Sequence, residues 1–373
     1  MIFCGITMHP TLIRIDTKRF LANLAAIRHR IGHKVRLCLP VKANAYGHGL
    51  LEIARLAEAQ VDYFGVSCLD EGMALRGDGI QKPILVFGAF AAEQVADLVN
   101  NNLEITLSSL VKAEVVAAYC VAHRTSCKVQ IKIDTGMRRV GVRADSSYPL
   151  LNFVLNSPEL ELTGVYSHLA ASDEPENDLT QMQIALFQQI VTYVKKRQPK
   201  IICHLASSAG VCYFPASYFD MVRPGILSYG YYPVRKIAAL AVKPCFSLVT
   251  QVVYFKVVGA NQGISYNHRY ITPDATRIVT LAVGYGDGYR RALSNRAFVL
   301  IRGVKYPLVG TICMDMMMAD IGPHGRAYVG DEAVLIGRQG NEEITITELA
   351  LKLDTIVYEV LVSFNGRIPR SYD

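Results

Sequence analysis

Lys42 has the sequence position that most favours chemistry in this chain. It ends an apolar run over residues 35–41 and is followed at once by small residues and glycines, KANAYGHG over residues 42–49. A run this rich in Val and Leu predicts a buried strand. At the mouth of a core, loss of water would lower the pKa of the amine and prepare it for Schiff-base formation or proton transfer. Taken alone, a lysine that only extends to solvent is the alternative.

Four more polar segments directly follow apolar runs. They are the segment 134–139 with Arg139, the residue His168, the segment 207–210 with Ser208, and the segment 223–225 with Arg223 and Gly225. Each one alone has an ordinary explanation as a cap, a turn or a packed side chain. Five such positions at the same edge of a fold would favour a functional site.

The elements that would position these residues alternate between strands and helices. Strands are predicted at 35–42, 61–67, 83–88, 103–107, 128–134, 160–168, 201–207 and 219–226, and helices at 17–30, 50–59, 91–100, 109–122 and 180–196. Eight βαβ repeats predict a closed TIM-type (β/α)8 barrel over residues 10–241, with its active site at the carboxyl ends of the strands. An open doubly wound sheet is the alternative, but no Gly-x-Gly-x-x-Gly follows the first strand.

The last third of the chain has a different predicted order of elements, in which strand follows strand without helices between them. The strands are predicted at 246–258, 277–283, 298–309, 316–321 and 333–336, with one helix over 347–360 that Thr347 would cap. Residues 242–373 therefore read as a mainly antiparallel β domain, which residues 1–9 could also join.

The segments with Ser208 and Gly225 follow the seventh and eighth predicted strands. Barrels often bind phosphate there through backbone N–H groups and helix N-termini. A Schiff-base lysine at the same rim as a phosphate site suggests pyridoxal 5'-phosphate as the cofactor.

Seven segments of the chain resemble, in order, the motifs of the alanine racemase family. They are VKANAYGHG at 41–49, IKIDTGM at 131–137, YSH at 166–168, VRPG at 222–225, ISY at 264–266, VGYGDG at 283–288 and ICMD at 312–315. The resemblance covers almost the whole chain. It implies a pyridoxal-phosphate enzyme of fold type III that interconverts L- and D-alanine as a homodimer with shared active sites.

The resemblance also implies roles for individual residues. Lys42 would carry the cofactor and act as the base for D-alanine, and Tyr266 of the partner subunit would be the base for L-alanine. Removing a proton from one face and returning it to the other is a task that two opposed bases can perform. A tyrosine needs positive or hydrogen-bonding neighbours for this work, and Arg139 and His168 are the candidates by resemblance.

The remaining implied roles concern binding. Arg223 would face the pyridine nitrogen, where a fixed cation disfavours ring protonation. The other assignments, by resemblance, are Tyr46, Ser208, Gly225 and Ile226 as phosphate contacts, Arg139 and the N–H of Met314 as carboxylate contacts, Tyr285 at the substrate entrance, and Lys132 as a lysine that is carbamylated in some members. No metal is expected. One departure stands out: the segment 363–366 reads SFNG where many members have a gate tyrosine before the arginine at 367.

Composition favours a globular protein of the cytoplasm. The chain has 373 residues, 51% of them hydrophobic, and its net charge of +7 comes from 39 Lys and Arg against 32 Asp and Glu, without a long basic block that would indicate nucleic-acid binding. Nine cysteines include no Cys-x-x-Cys pair, which favours a reducing compartment. No apolar stretch is long enough to predict a membrane span, and residues 1–8 do not resemble a signal peptide.

Three alternatives stay open at this point. A racemase of the same fold with broader substrate range would share every motif. A pyridoxal-phosphate-binding protein without turnover would share the barrel and the lysine, but such proteins typically lack a second domain with a counterpart of Tyr266. A decarboxylase of the same fold type would need a cysteine motif that has no counterpart in this chain.

Overall fold

The computed structural model describes residues 10–233, 237 and 240–373. These residues divide into two compact units, one with residues 19–45 and 49–244 and the other with residues 10–18, 46–48 and 245–373. The sequence analysis begins the barrel domain at residue 10, whereas this division groups residues 10–18 with the C-terminal unit. The expected contribution of residues 1–9 lies outside the described residues.

Strand β1 (Leu12–Ile15) belongs to the C-terminal unit, and the barrel strands follow it. They are β2 (Arg36–Pro40), β3 (Tyr63–Val66), β4 (Ile84–Val86), β5 (Glu104–Leu107), β6 (Cys127–Asp134), β7 (Val142–Arg143), β8 (Leu160–Tyr166), β9 (Ile202–His204) and β10 (Met221–Val222). All their pairings are parallel, and β2-β3-β4-β5-β6-β8-β9-β10 closes on itself through β10 and β2. The predicted eight-stranded barrel is confirmed, and every strand except β6 is shorter than predicted.

Helices alternate with the barrel strands, as predicted. They are Thr17–Ile31, Leu50–Ala57, Leu69–Gly77, Val95–Asn100, Leu110–Ala122, Tyr148–Asn156, Asp178–Arg197 and Ser208–Tyr213. The first buries Phe20, Leu24, Ile27 and Ile31, an apolar stripe of helical period. The sequence analysis missed Leu69–Gly77, because LDEGMALRG has two glycines and no such stripe, and it also missed Tyr148–Asn156 and Ser208–Tyr213.

The C-terminal unit is a mainly antiparallel β structure, which confirms that prediction. Its strands after β1 are β11 (Phe246–Val258), β12 (Gly263–Ile264), β13 (Tyr270–Ile271), β14 (Thr276–Leu281), β15 (Phe298–Ile301), β16 (Val304–Val309), β17 (Met317–Asp320), β18 (Glu332–Gln339), β19 (Glu342–Ile344) and β20 (Arg370–Tyr372). Strands β11-β14-β17-β16-β15-β18 form a closed ring, because β18 also pairs with β11. Strand β1 pairs antiparallel with β11 and parallel with β20.

Two predicted elements of this unit are wrong in detail. The single strand predicted over 298–309 is a hairpin, because Arg302 and Gly303 both have positive φ and turn the chain. The single helix predicted over 347–360 is two helices, Ile346–Leu353 and Val357–Ser363, separated at Asp354 with φ 55°. The N-cap of the first is Thr345, whose hydroxyl accepts from the Glu348 amide at 3.0 Å, and not Thr347.

In the described ranges, no helix is long and apolar enough to cross a membrane. The eight cysteines that these ranges contain are free thiols, six of them buried.

Candidate active site

Lys42 lies two residues after β2 and opens a left-handed turn. The predicted strand continues through residue 42, but the observed strand ends at Pro40. Residues 43–46 have φ values of 52° to 55°. A left-handed backbone costs about 1–2 kcal/mol for each residue with a Cβ atom. Such strain persists only where the surroundings impose it, and it is concentrated at functional sites.

The surroundings that hold this turn include a carboxylate that the sequence analysis missed. Glu71 accepts from the Ala43 amide at 2.7 Å through one oxygen and from the Ser67 amide at 2.8 Å through the other. Asn44 contributes from within the turn, because its side-chain oxygen accepts from the Leu50 amide at 2.8 Å. The backbone after Lys42 is therefore fixed from β3's end and from the helix that follows.

The amine of Lys42 lies among positive charges. Burial lowers its pKa, the charges of Arg139 and Arg223 lower it further, and Glu71 opposes them. Lys42 is half-buried, and its amine is less basic than usual. This is the state that a nucleophilic or proton-accepting lysine requires.

Two more predicted residues share this cationic environment. Burial, Arg223 and Arg139 hold the pKa of Lys132 well below its usual range, although Asp134 opposes them. His168 lies just beyond β8, and burial together with the charge of Lys132 holds its pKa well below its usual range. Lys132 also lies over the Tyr166 ring, 4.4 Å from its centroid. Both side chains are therefore biased towards their neutral forms.

Arg139 lies at the end of a turn that Asp134 builds. The Asp134 carboxylate accepts from the Gly136 amide at 2.9 Å and from the Arg138 amide at 3.1 Å. Arg138 has φ 56°, so the chain turns sharply there and leaves the next arginine exposed. Its charge acts on Lys42, Lys132 and His168 alike, which makes Arg139 a member of the same cluster.

Arg223 follows β10 directly and is buried. Its NH1 bonds His204 Nδ1 at 2.5 Å, and its NH2 donates to the carbonyls of Ser167 at 2.7 Å and Leu205 at 3.1 Å. A guanidinium has five N–H groups, so two are not engaged in these three bonds. His204 was not among the residues predicted for the site, although its place at the end of β9 was a usable signal.

The predicted phosphate residues of the barrel come together around one hydrogen bond. The Ser208 hydroxyl accepts from the Leu227 amide at 3.2 Å, which links the segment after β9 to the segment after β10. Gly225 and Ile226 lie in that second segment and, like Ser208, are buried. Tyr46 belongs to the C-terminal unit.

Tyr266 lies in the C-terminal unit on a strained loop that other segments hold in place. Its neighbours Ser265 and Asn267 have φ values of 62° and 59°. The Ser265 hydroxyl donates to the Thr311 carbonyl at 2.6 Å, and the Thr311 hydroxyl donates to the Tyr266 carbonyl at 3.1 Å. The backbone is thus fixed from both sides while 66% of the Tyr266 side chain is exposed in the single chain.

Tyr285 and Met314 are tied to the segment that fixes Tyr266. The Tyr285 amide donates to the Cys313 carbonyl at 3.0 Å, and the Gly286 amide donates to the Met314 carbonyl at 2.8 Å. A side chain at Gly284 would come within 2.3 Å of the carbonyl oxygens of Cys313 and Met314, so this approach depends on glycine. Tyr285 and Met314 are exposed, like Tyr266.

The segment where the family often has a gate tyrosine holds the Tyr285 turn with polar groups instead. The Asn365 side chain donates to the Gly286 carbonyl at 2.7 Å. Arg367 forms ion pairs with Asp315 at 2.8 Å and with Asp287 at 3.4 Å. Next to them Gly366 faces open space, since a Cβ atom there would meet nothing within 4 Å.

A closed parallel barrel with a buried arginine and a weakly basic lysine at its carboxyl rim, followed by an antiparallel β unit with exposed tyrosines, defines a two-unit barrel enzyme. The model of the alanine racemase N-terminal domain matches residues 15–233, and that of the C-terminal domain matches residues 245–372. The chain belongs to the alanine racemase family.

Relatives and solved structures agree with this assignment. The alanine racemase of Symbiobacterium thermophilum is 39% identical over 368 residues, which cover 98% of this chain and 97% of the relative. That of Carboxydothermus hydrogenoformans is 39% identical over 360 residues, with 94% and 98% covered. The structure of the Clostridium difficile alanine racemase matches with a TM-score of 0.93 at 32% identity over 99% of this chain and 97% of that one. The Bacillus anthracis enzyme with bound L-Ala-P matches with a TM-score of 0.92 at 32% identity over 99% and 96%.

Proposed function

We propose that this enzyme of the alanine racemase family interconverts L- and D-alanine with pyridoxal 5'-phosphate, using Lys42 and Tyr266 of the partner subunit as bases in a homodimer. The observation that carries the proposal is the cluster of basic side chains around Lys42, in which Arg139 and Arg223 supply the positive charge. Its members are Lys42, Lys132, Arg139, His168 and Arg223. Such a cluster suits a ligand with a phosphate, a substrate carboxylate and a group that bonds an amine.

The residues of the barrel fit this cofactor. The lowered pKa of Lys42 gives an amine that can bond an aldehyde, and Ser208, Gly225 and Ile226 form a buried rim segment suited to a phosphate. The further phosphate contact that the family resemblance implies is Tyr46, which belongs to the C-terminal unit. Arg223 has N–H groups left over from its three protein bonds, which can face the ring nitrogen and disfavour its protonation. When bound, pyridoxal phosphate supplies an electron-withdrawing ring that acidifies the α-proton of an attached amino acid.

The chain's own residues would then move the proton. Lys42, with its lowered pKa, can accept a proton from one face of the substrate and return it. Arg139 supplies a positive charge for the substrate carboxylate, and the Met314 amide can donate to the same group. Lys132 and His168 are biased towards their neutral forms, so Arg139 remains the charged partner of the carboxylate. Carbamylation of Lys132, which requires a neutral amine, is compatible with its lowered pKa and is part of the proposal.

The opposite face requires a second base, and the proposal assigns it to Tyr266 of the partner subunit. Two features support a role in another subunit: the Tyr266 backbone is fixed at a cost in strain, and its side chain is two-thirds exposed in the single chain. Phe255 and Val257 of β11, also in this unit, are exposed by 38% and 70% and lie on the same face of the strand, an apolar surface that a second copy could cover. Tyr285 would line the entrance.

The test follows exchange of the α-proton of alanine in D₂O, starting separately from each enantiomer. We expect Tyr266→Phe to lose exchange from L-alanine while keeping exchange from D-alanine, because only one of two bases is removed. Tyr328→Phe, which alters another exposed tyrosine of the same unit, should match the wild type. Equal exchange from L-alanine in Tyr266→Phe and wild type would remove Tyr266 from this role.

The proposal also covers the cellular use of the product and the range of amino acids that the enzyme accepts. We infer that the product supplies D-alanine for peptidoglycan in the cytoplasm, which rescue of growth in a D-alanine-requiring bacterium would test. A racemisation assay over a panel of L-amino acids separates an enzyme restricted to alanine from a broader racemase of the same fold. Turnover itself separates both from a protein that only binds the cofactor.

A further inference from the structure

A chain of buried hydrogen bonds connects Arg223 to a carboxylate on the far side of the barrel interior. His204 Nδ1 bonds Arg223 at 2.5 Å, and its Nε2 bonds Gln130 Oε1 at 2.7 Å. Gln130 Nε2 in turn donates to Glu104 Oε2 at 2.6 Å. All four side chains are buried, with Glu104 2% and Arg223 5% exposed and the two between them fully enclosed.

The backbone makes room for this connection. Gln130 lies on β6 and His204 on β9, with β8 between them. At Gly164 of β8 a Cβ atom would come within 2.8 Å of the side-chain carbon and oxygen of the Gln130 amide. Glycine at this position therefore lets the amide of Gln130 pass across β8 to reach His204.

The groups at the two ends of this chain of hydrogen bonds determine which atom donates and which accepts in each bond. Arginine can only donate, so His204 Nδ1 must accept, and the neutral ring then carries its proton on Nε2 and donates to the Gln130 oxygen. This orients the amide with its N–H₂ towards Glu104, and an ionised carboxylate only accepts. A charged His204 would place an N–H against an N–H of Arg223, and burial and the Arg223 charge indeed hold the pKa of His204 well below its usual range.

Glu104 is held as the acceptor at the end of this chain. Thr163 Oγ1 lies 2.8 Å from the oxygen that accepts from Gln130, and the Tyr63 hydroxyl donates to the other oxygen at 3.2 Å. Burial raises the pKa of Glu104, and the hydrogen bonds from Gln130, Thr163 and Tyr63 oppose that rise by favouring the ionised form. The Arg223 guanidinium and the Glu104 carboxylate, whose pKa stays above its usual value on balance, thus stand at opposite ends of one directed chain of hydrogen bonds.

We propose that Glu104 is a positioning residue of the active site, whose carboxylate acts through Gln130 and His204 to orient the Arg223 guanidinium and to balance its buried charge. Removing one partner of a buried charge pair is costly because the other charge is left uncompensated. The inference rests on the proposed function in one respect, namely that Arg223 faces the cofactor.

The test uses Glu104→Gln in the cofactor-loaded enzyme. A glutamine has the same size and its oxygen can still accept from Gln130 and Thr163, while its N–H₂ would donate to the Tyr63 oxygen. The variant therefore removes the charge and reverses one hydrogen bond. The measurement is the pH at which the visible absorbance of the bound cofactor changes, together with kcat and KM for L-alanine. The other titratable groups that interact electrostatically with the two ends stay the same in every variant. They are Lys42, Lys132, Tyr166 and His168 with Arg223, Tyr63, Arg76 and Lys128 with Glu104, and Cys38 with both.

We expect the absorbance transition to move to lower pH by several tenths of a unit to about one unit, because an uncompensated cation near Lys42 makes proton loss easier. We also expect kcat to fall more than KM rises. Tyr218→Phe is the matched control, since it loses one buried hydrogen bond, to the Val211 carbonyl at 2.6 Å, at a place apart from the chain. It should keep the wild-type transition.

A second variant tests whether the effect of Glu104 reaches Arg223 through Gln130. It also provides a test of the inference if the Glu104→Gln protein does not fold. Gln130→Met breaks the chain but leaves Glu104 its bonds to Thr163 and Tyr63, and it should shift the transition in the same direction. Adding Glu104→Gln to it should change little more, because coupled residues are not additive. A folded Glu104→Gln enzyme with the wild-type transition, an unshifted Gln130→Met enzyme, or additive shifts would each overturn the inference. A wild type that takes up no cofactor would instead defeat the proposed function.

Discussion

Replacing His204 with glutamine should change how the stability of the protein depends on pH. The His204 ring is fully buried, and its pKa is held well below the usual range by burial and by the charge of Arg223. The unfolded chain takes up a proton at this histidine below about pH 6.5, whereas the folded protein does not. The folded-state pKa is the lower one, so His204 lowers the free energy of unfolding as pH falls, by about 1.4 kcal/mol per pH unit.

His204→Gln removes this dependence at the cost of the native contacts. The ring stacks on Tyr166, with centroids 4.8 Å apart, and bonds Arg223 and Gln130. The glutamine loses the stack on Tyr166 and makes weaker hydrogen bonds than the histidine. This should lower the free energy of unfolding by about 2 kcal/mol at pH 7.5, where both the histidine and the glutamine are neutral. That deficit should shrink below pH 6.5 and vanish near about pH 5, because about 1.5 pH units at this slope offset it.

The assay is urea unfolding at pH 7.5, 6.5, 5.5 and 5.0, followed by circular dichroism at one protein concentration and saturating cofactor. His324→Gln provides the control, since it replaces an exposed histidine of the C-terminal unit. A deficit of His204→Gln that stays constant over this range would refute the reasoning, because it would mean that folded His204 takes up its proton as readily as the unfolded chain does.

The other predictions concern single contacts. Gly284→Ala should raise KM for alanine and destabilise the protein by about 1–3 kcal/mol, because its Cβ would come within 2.3 Å of the Cys313 and Met314 carbonyl oxygens. The control is Gly259→Ala, where a Cβ meets nothing within 4 Å, and it should match the wild type in both KM and stability. Ser208→Ala should weaken pyridoxal phosphate binding by about tenfold in equilibrium dialysis, because the bond to the Leu227 amide is lost, and an unchanged dissociation constant would contradict it. Thr345→Ala should lower the free energy of unfolding by about 1 kcal/mol through loss of the N-cap, whereas an equal effect of Thr347→Ala would argue against that assignment.

The barrel could be predicted because each of its strands carries its own signal. Short runs of buried apolar residues such as 35–41 alternate with amphipathic helices, and this pattern needs no knowledge of distant contacts. The C-terminal unit was harder, since the breaks at Arg302 and Asp354 depend on left-handed backbone, which arginine does not favour and which a single aspartate permits but does not predict. Residues 10–18 were expected to belong to the barrel domain, because nothing in this segment marks the pairing of β1 with β11 and β20.

The sequence also predicts only part of the candidate site. The position of Lys42 after an apolar run could be predicted, but the left-handed turn that follows could not, because alanine at 43 and 45 gives no signal for it. Glu71, Glu104 and His204 act through contacts 19 to 28 residues apart in sequence, which arise only when neighbouring barrel strands pair. The chemistry of a site is thus visible in residue types, and the groups that hold it are visible only in the fold.

The central claim is that each active site combines Lys42 of one subunit with Tyr266 of the other. Mixing unfolded Lys42→Ala and Tyr266→Phe chains in equal amounts and refolding them with cofactor tests it directly, because each variant alone should be inactive. Half of the randomly formed dimers would be hybrids, and each hybrid would regain one complete site of two, so we predict about one quarter of the wild-type activity. If both residues served within one chain, every site would lack a base, and the absence of any recovered activity in confirmed hybrids would contradict the account.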